Sequence, residues 1–482
     1  MKRTRWITTL MAMVLVVAAC GGTETTDTTT AADADTTAAV TETTTAATET
    51  TAAATETTAA ATDTTAPGGT DTTAAGGEGE PIVFGASLPL TGEFSISGSK
   101  HANGYQFCVD EINARGGLLG RPVELLVEDN RSDTEVTVTQ TQRFINVENV
   151  DALLGTFSSL LGFPASTVAE QNGMIYPMPS NGALRIWERG YQHIFYFQQL
   201  PAEYTGRSVL NMVDHYEAEG IIGERPQTAA VVYADDFFAA AIATGLLGGT
   251  VEIPDSGEII DLAPGFLADA GMEVAFEEVW PIGYTDWLTL ANSIRQADAD
   301  FLVISSASTD EVIALLQALQ TVGYQAPLVY TAQGAQTEFQ EALGEAADGI
   351  VVHSVWSPLA NFPSTLAGEP YTNEDFVSGY TESFGEPPDE DEAIPFAVCQ
   401  GVEQAIIGTG GTDNAAMSEW MHTRTADTAV ETIVGNFVWD EKGLAEERSF
   451  LINQWQDGGL SFVFPVGEFP GTVDVTYPKP EW

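Results

Sequence analysis

The chain has 482 residues and sets 17 Lys and Arg against 69 Asp and Glu, a formal charge of -52. A surface of that sign repels nucleic acid and anionic lipid, and solubility or a salty milieu explains it better than a dedicated cationic partner. No CxxC pair, HExxH or histidine cluster points to a metal or redox centre, so no cofactor is expected.

Lys2, Arg3 and Arg5 precede an apolar run from Trp6 to Ala19 that is short for a membrane span and has the charge and length of a signal sequence, residues 1–19. The run ends in Val17-Ala18-Ala19-Cys20-Gly21-Gly22, which resembles a bacterial lipobox. That resemblance implies a lipidated Cys20 at the mature amino terminus, hence a membrane anchor rather than a span. Residues 20–80 form a tract of Thr, Ala, Asp and Glu without an aromatic or basic residue. Such a tract cannot bury enough apolar surface to offset its conformational entropy, which predicts a disordered tether with a reach of roughly 45 Å. Of the remaining cysteines, Cys108 and Cys399 each sit on an apolar helical face. A disulfide and a pair of buried free thiols both fit that placement.

From residue 82 the pattern alternates. Residues 82–88 read as a buried strand, 102–112 as a helix stopped by Gly116 and Gly117, and 123–127 as a second strand. Asp133 is placed to cap a helix reaching about residue 146. Strand 152–155, helix 158–171 and strands 174–177 and 193–197 follow, with a chain crossover near Leu200 and Pro201. A second series then begins: helix 204–216, strand 228–233, helix 238–247, an insertion over 248–271, strand 273–280, helix 287–295, strand 301–305, helix 311–321 and strands 328–330 and 349–353. Helices are predicted over 374–384 and 395–407, and the end reads as a hairpin turning at Asp457-Gly458. Alternation of this kind builds open parallel sheets with ligand crevices at the carboxyl ends of their strands.

Several runs carry a family resemblance: GASLPLTGEF, NGYQFCVDEINARGGLLGRPVELLVEDNRSD, GTFSS followed by PAS, RGYQHIF and the closing NQWQDG. With them the chain resembles the leucine/isoleucine/valine-binding protein family, the extracytoplasmic solute-binding components of branched-chain amino acid ABC transporters. The resemblance implies an α/β, two-lobe type I periplasmic-binding-protein fold, each lobe a parallel sheet flanked by helices, joined by three hinge crossovers. The expected division is 81–200 for the first part of lobe 1, 201–353 for lobe 2, and 354–482 for the return to lobe 1 and the carboxyl-terminal hairpin with hinge segments. It further implies a small-molecule solute and an ABC transporter permease as partners, in a monomer held by its lipid on the outer face of the cell membrane.

By the same resemblance the ligand carboxylate falls to Ser159, with Ser158 beside it. Hydroxyls and N–H groups at a helix start form a ready anion site, although helices also commonly begin with a capping Ser. The next contact loop is Ser180, Asn181 and Gly182, and the aromatic residue of the second lobe is Phe238 or Phe237. A second family aromatic aligns with Ala307, which predicts a wider pocket there or use of Ser306 or Ser308. The family's acidic residue aligns with Gln333, which forfeits the charge pairing that favours an α-amino group. The expected solute is therefore a branched-chain amino acid or a related amide or carboxylate. Glu93 is a replacement carboxylate or, on the simpler reading, a solvated loop acid. Absent G-x-G-x-x-G, P-loop and G-x-S-x-G motifs argue against an enzyme. A ligand-sensing receptor component of the same fold, uncoupled from transport, is the alternative.

Overall fold

The structure, a computed structural model, describes residues 79–482 apart from 254–255, 263–264 and 446–448. The chain divides into one unit spanning Met1–Thr70 and another spanning Asp71–Trp482. The signal sequence, Cys20 and all but the end of the tether lie outside the described residues.

Strand Ile82–Leu88 buries every side chain except Val83, as a central parallel strand must. It pairs in parallel with Val123–Asp129 on one side and Ala152–Leu154 on the other. Tyr176–Met178 and Ile194–Tyr196 form a further parallel pair, tied to the first three strands by the Gly155 N–H to Pro177 carbonyl bond of 2.9 Å. The second sheet has seven strands. Glu273–Trp280, Thr228–Ala234, Phe301–Ser305, Leu328–Thr331 and Ile350–Ser354 run parallel in that order. Leu451–Gln456 and Gly459–Phe464 then add an antiparallel hairpin at the edge. Its turn is Asp457 (φ 51°) and Gly458 (φ 75°), the two positive φ angles that a tight hairpin turn requires.

Among the described residues the chain passes between the sheets three times: after Ile194–Tyr196, after Ile350–Ser354, and before Leu451–Gln456. The passages are tied together: Gln199 Nε2 donates to the Val355 carbonyl at 2.8 Å, and Phe450 N–H donates to Ser208 Oγ at 3.3 Å. Between the last two passages, helices Asn373–Phe384, Glu390–Thr409 and Asn414–His422 cover the first sheet.

The first helix is Ser95–Ala114, a full two turns earlier than the apolar spacing predicts, because its opening residues are small and polar. Asp133 does cap the next helix, accepting from Val136 N–H at 2.9 Å. The 248–271 insertion holds a small antiparallel pair, Thr250–Glu252 with Ile259–Asp261. Helix Asn414–His422 has no counterpart in the sequence reading.

Helices Ser95–Ala114 and Glu390–Thr409 approach so closely that a Cβ on Gly104 would lie 2.3 Å from the Glu392 carbonyl oxygen. Cys108 and Cys399, both fully buried in that interface, form a disulfide with a Cα separation of 6.3 Å.

Candidate functional site

The cavity between the lobes is lined by residues that follow strand ends. After Ala152–Leu154 come Phe157 and Ser158, after Tyr176–Met178 comes Ser180, and after Ile194–Tyr196 comes Gln198. From the second sheet come Phe238, Ala307, Ala332, Gln333 and His353, with Val355 in the second passage. The start of helix Glu390–Thr409 completes it with Glu390, Asp391 and Ile394. The space, partly open to solvent, is about 30 Å³, room for a few water molecules.

Of the two serines before helix Ser159–Gln171, the structure turns only Ser158 to the cavity. Ser158 is 2 % exposed, and its hydroxyl makes no capping bond and has no hydrogen-bond partner. Ser159 is fully buried and its Oγ accepts Ala183 N–H at 3.2 Å, which fastens the 179–183 loop instead. Ser180 lines the cavity, with its hydroxyl 2.9 Å from His101 Nε2. Asn181 points away: its Nδ2 donates to the Ser158 carbonyl at 2.6 Å and holds that turn. Gly182 is also off the cavity; a Cβ there would come within 2.7 Å of the Tyr196 hydroxyl oxygen.

On the opposite side Phe238 faces in. Phe237 packs edge-on against Phe163 of the first lobe, ring centroids 5.3 Å apart. Ala307 lines the cavity but does not widen it. At 1 % exposure it sits in an apolar cluster with Phe94, Phe157 and Leu161, so first-lobe rings fill the space an aromatic residue at 307 would occupy. Ser306 is turned from the cavity and donates to Glu311 Oε2 at 2.7 Å, while Ser308 caps helix Thr309–Val322 through Glu311 N–H. Gln333 lines the cavity and accepts from Gln336 Nε2 at 2.7 Å.

Sequence reasoning missed the acids of the carboxyl-terminal helix. That helix begins at Glu390, not 395; Pro395 lies inside it, one turn after a capping box made by Asp389 and Glu392. Reading Pro395 as the usual first-turn proline hid the acidic turn. Glu390 Oε2 accepts from Ser354 Oγ at 2.7 Å and Val355 N–H at 3.2 Å. Asp391 Oδ2 accepts Gln336 Nε2 from the second lobe at 2.9 Å. Burial and then the neighbouring Asp391 push Glu390 up to about 8, and burial raises Asp391 as well. His353, hydrogen-bonded to the Tyr330 hydroxyl at 2.9 Å, is pushed down to about 3 by burial and is neutral. The run of four acids from Asp389 to Glu392 was the one available signal.

Glu93 is half-buried rather than a solvated loop acid. Burial, Glu311 and Asp236 together raise it to about 7. Asp236, which caps helix Phe237–Leu247 and also accepts Ala307 N–H at 3.3 Å, is itself pushed up to about 6 by burial.

Two α/β lobes, three passages and a cavity at the facing strand ends define the type I periplasmic-binding-protein fold. Solved structures share it. The branched-chain amino acid transporter substrate-binding protein LivJ from Streptococcus pneumoniae, in complex with isoleucine, aligns with a TM-score of 0.64 at 19 % identity over 79 % of this chain and 97 % of its own. The leucine-binding protein LivK from Thermotoga maritima aligns with a TM-score of 0.62 at 20 % identity over the same shares of the two chains. The pattern of the periplasmic binding protein family matches residues 81–249 and 250–459, and the chain belongs to that family of solute-binding proteins. Among curated relatives, Leu/Ile/Val-binding protein homolog 7 of Brucella suis is 24 % identical over 388 residues, 80 % of this chain and 91 % of the relative. Homolog 8 of Brucella abortus is 25 % identical over 389 residues, 80 % and 90 %.

Proposed function

We infer that the protein is the extracytoplasmic solute-binding lipoprotein of an ABC importer. It captures a small polar solute, a branched-chain amino acid or a related amide or carboxylate, between its lobes and presents the closed form to a membrane permease. The observation that carries this reading is the cavity at the facing strand ends, whose lining includes Ser158 with its buried, unpartnered hydroxyl. A buried hydroxyl without a partner is costly, and a bound solute would satisfy it. The solute class draws on the names of the relatives and on the isoleucine bound in the LivJ structure. Ser158, Ser180, Phe238, Ala307 and Gln333 are the contacts we assign from the predicted set. Residues 1–19 act as the signal sequence, Cys20 carries the lipid, and residues 20–80 are the tether on which the monomer works at the outer membrane face.

A thermal-shift panel of amino acids, their amides, urea and carboxylic acids tests the reading. A true solute at about 100 times its Kd adds roughly 2.7 kcal/mol of stability. Small-angle scattering should then show compaction with that solute. A tight solute that leaves the radius of gyration unchanged would refute capture by closure. Metabolic labelling with a fatty acid, lost in Cys20→Ala, tests the anchor.

A further inference from the structure

We propose that the cleft is built for a solute of net positive charge: an aliphatic primary ammonium compound with a neutral amide or hydroxyl where an amino acid carries its carboxylate. The proposal rests on the solute-capture reading and narrows it.

Glu390 and Asp391 bring two acidic side chains to the cavity, and among the described residues no Lys or Arg lines it. Lys100, whose charge reaches Asp391, is already committed. Its Nζ lies 3.0 Å from Asp389, 3.4 Å from Glu338 and 3.5 Å from Glu392. The histidines are no substitute, since burial lowers His101 to about 4 and His353 to about 3. Behind the lining, Glu93 of the first lobe faces Asp236 and Glu311 of the second, adding negative potential from both sides. A solute carboxylate would meet these two acids, and of the two serine hydroxyls in the lining Ser180 is engaged by His101, which leaves Ser158.

An ammonium group reverses the balance. It pairs with Glu390 and Asp391 in the ionised form that burial otherwise penalises, displacing the proton that burial leaves on Glu390, and so favours the closed form over the open one. The buried, unpartnered Ser158 hydroxyl then serves a neutral carbonyl or hydroxyl, and Phe157 and Phe238 flank the ammonium with ring surface. The position vacated by charge at Gln333 is thus answered from the other lobe, across the cavity. A metal ion is the poorer occupant: among the described residues no group of three or more His, Cys, Asp or Glu side chains is arranged to hold one.

The test is a charge series on one skeleton: L-leucinamide, L-leucine, isocaproamide and isocaproate, titrated calorimetrically into the disulfide-bonded protein at a pH where the amines are protonated. L-leucinamide should bind at least about tenfold more tightly than L-leucine, and isocaproate should not bind. Asp391→Asn should weaken L-leucinamide about tenfold and leave isocaproamide unchanged, with circular dichroism confirming the fold; Glu390→Gln is the second variant. Leucine binding as tightly as leucinamide would overturn the charge preference while leaving solute capture standing. Silence from the whole series would overturn it too, and only a wider panel without any compacting solute would bring down solute capture with it.

Discussion

The two walls of the cavity are made differently. The first-lobe wall holds the hydroxyls and acids, Ser158, Ser180, Glu390 and Asp391, set beside Phe157 and Ile394 and backed by the Lys100 ion-pair cluster. The second-lobe wall is nearly neutral, with a ring, two methyl groups and an amide from Phe238, Ala307, Ala332 and Gln333, and the neutral His353 beside them. One wall supplies hydrogen bonds and charge, the other shape and exclusion of water. A solute can therefore dock on the first wall while the lobes are apart, and the second then closes over it.

The largest way to break this asymmetry is through the covalent support of the polar wall. Cys108→Ala with Cys399→Ala should cost about 2–5 kcal/mol, seen as a lower urea midpoint, and should loosen the first lobe before the second. Next comes Glu403, fully buried in the helix that presents Glu390 and Asp391 and pushed up to about 8 by burial. Its folded pKa lies above its ordinary 4.5, so the folded protein holds a proton the unfolded chain has lost. Stability must fall as pH rises from 4.5 to 8. Glu403→Gln should make that slope shallower and add stability on the order of a few kcal/mol above pH 8, read as a higher Tm there, with no gain below pH 4.5. On the neutral wall, Ala307→Phe would restore the family's aromatic residue but drive it into Phe94 and Phe157, costing about 1–3 kcal/mol. The smallest effect separates two neighbours. Ser159→Ala strands the buried Ala183 N–H and should cost about 1–3 kcal/mol, whereas Ser158→Ala removes an unpartnered buried hydroxyl and should raise the solute-free Tm slightly while weakening solute binding. Equal stability losses at 158 and 159 would contradict the assignment of one to the cavity and the other to the scaffold.

What was legible from the residues alone was local chemistry. Strands 273–280 and 301–305 have the bounds their apolar runs predict, and Asp457-Gly458 makes the expected turn. The EDNRSD run is explained by the structure: Asp129 accepts Leu90 and Thr91 N–H at 3.1 Å each, and Ser132 accepts Phe94 N–H at 3.1 Å, so the run ties down the loop at the cleft mouth. What was not legible depended on which groups meet across the chain. Nothing near Ala307 announces that Phe94 and Phe157 fill its space from the other lobe. Nothing near Gln333 announces that the carboxyl groups of Glu390 and Asp391, on a helix of the other lobe, share its cavity. The pair Ser158 and Ser159 shows the limit at its finest: residue type and position select both, and only the path of the backbone decides which hydroxyl faces the solute.

The Cys108–Cys399 bond spans 291 positions. Strands 228–234, 273–280, 301–305, 328–331 and 350–354 all lie within that span, so most of the second lobe is an excursion inside a covalent ring whose clasp is in the first. A single cut anywhere in the excursion leaves one molecule, with both parts of the first lobe still joined. A protein working outside the cell among proteases would thereby keep its solute-docking wall intact after a nick in its moving lobe.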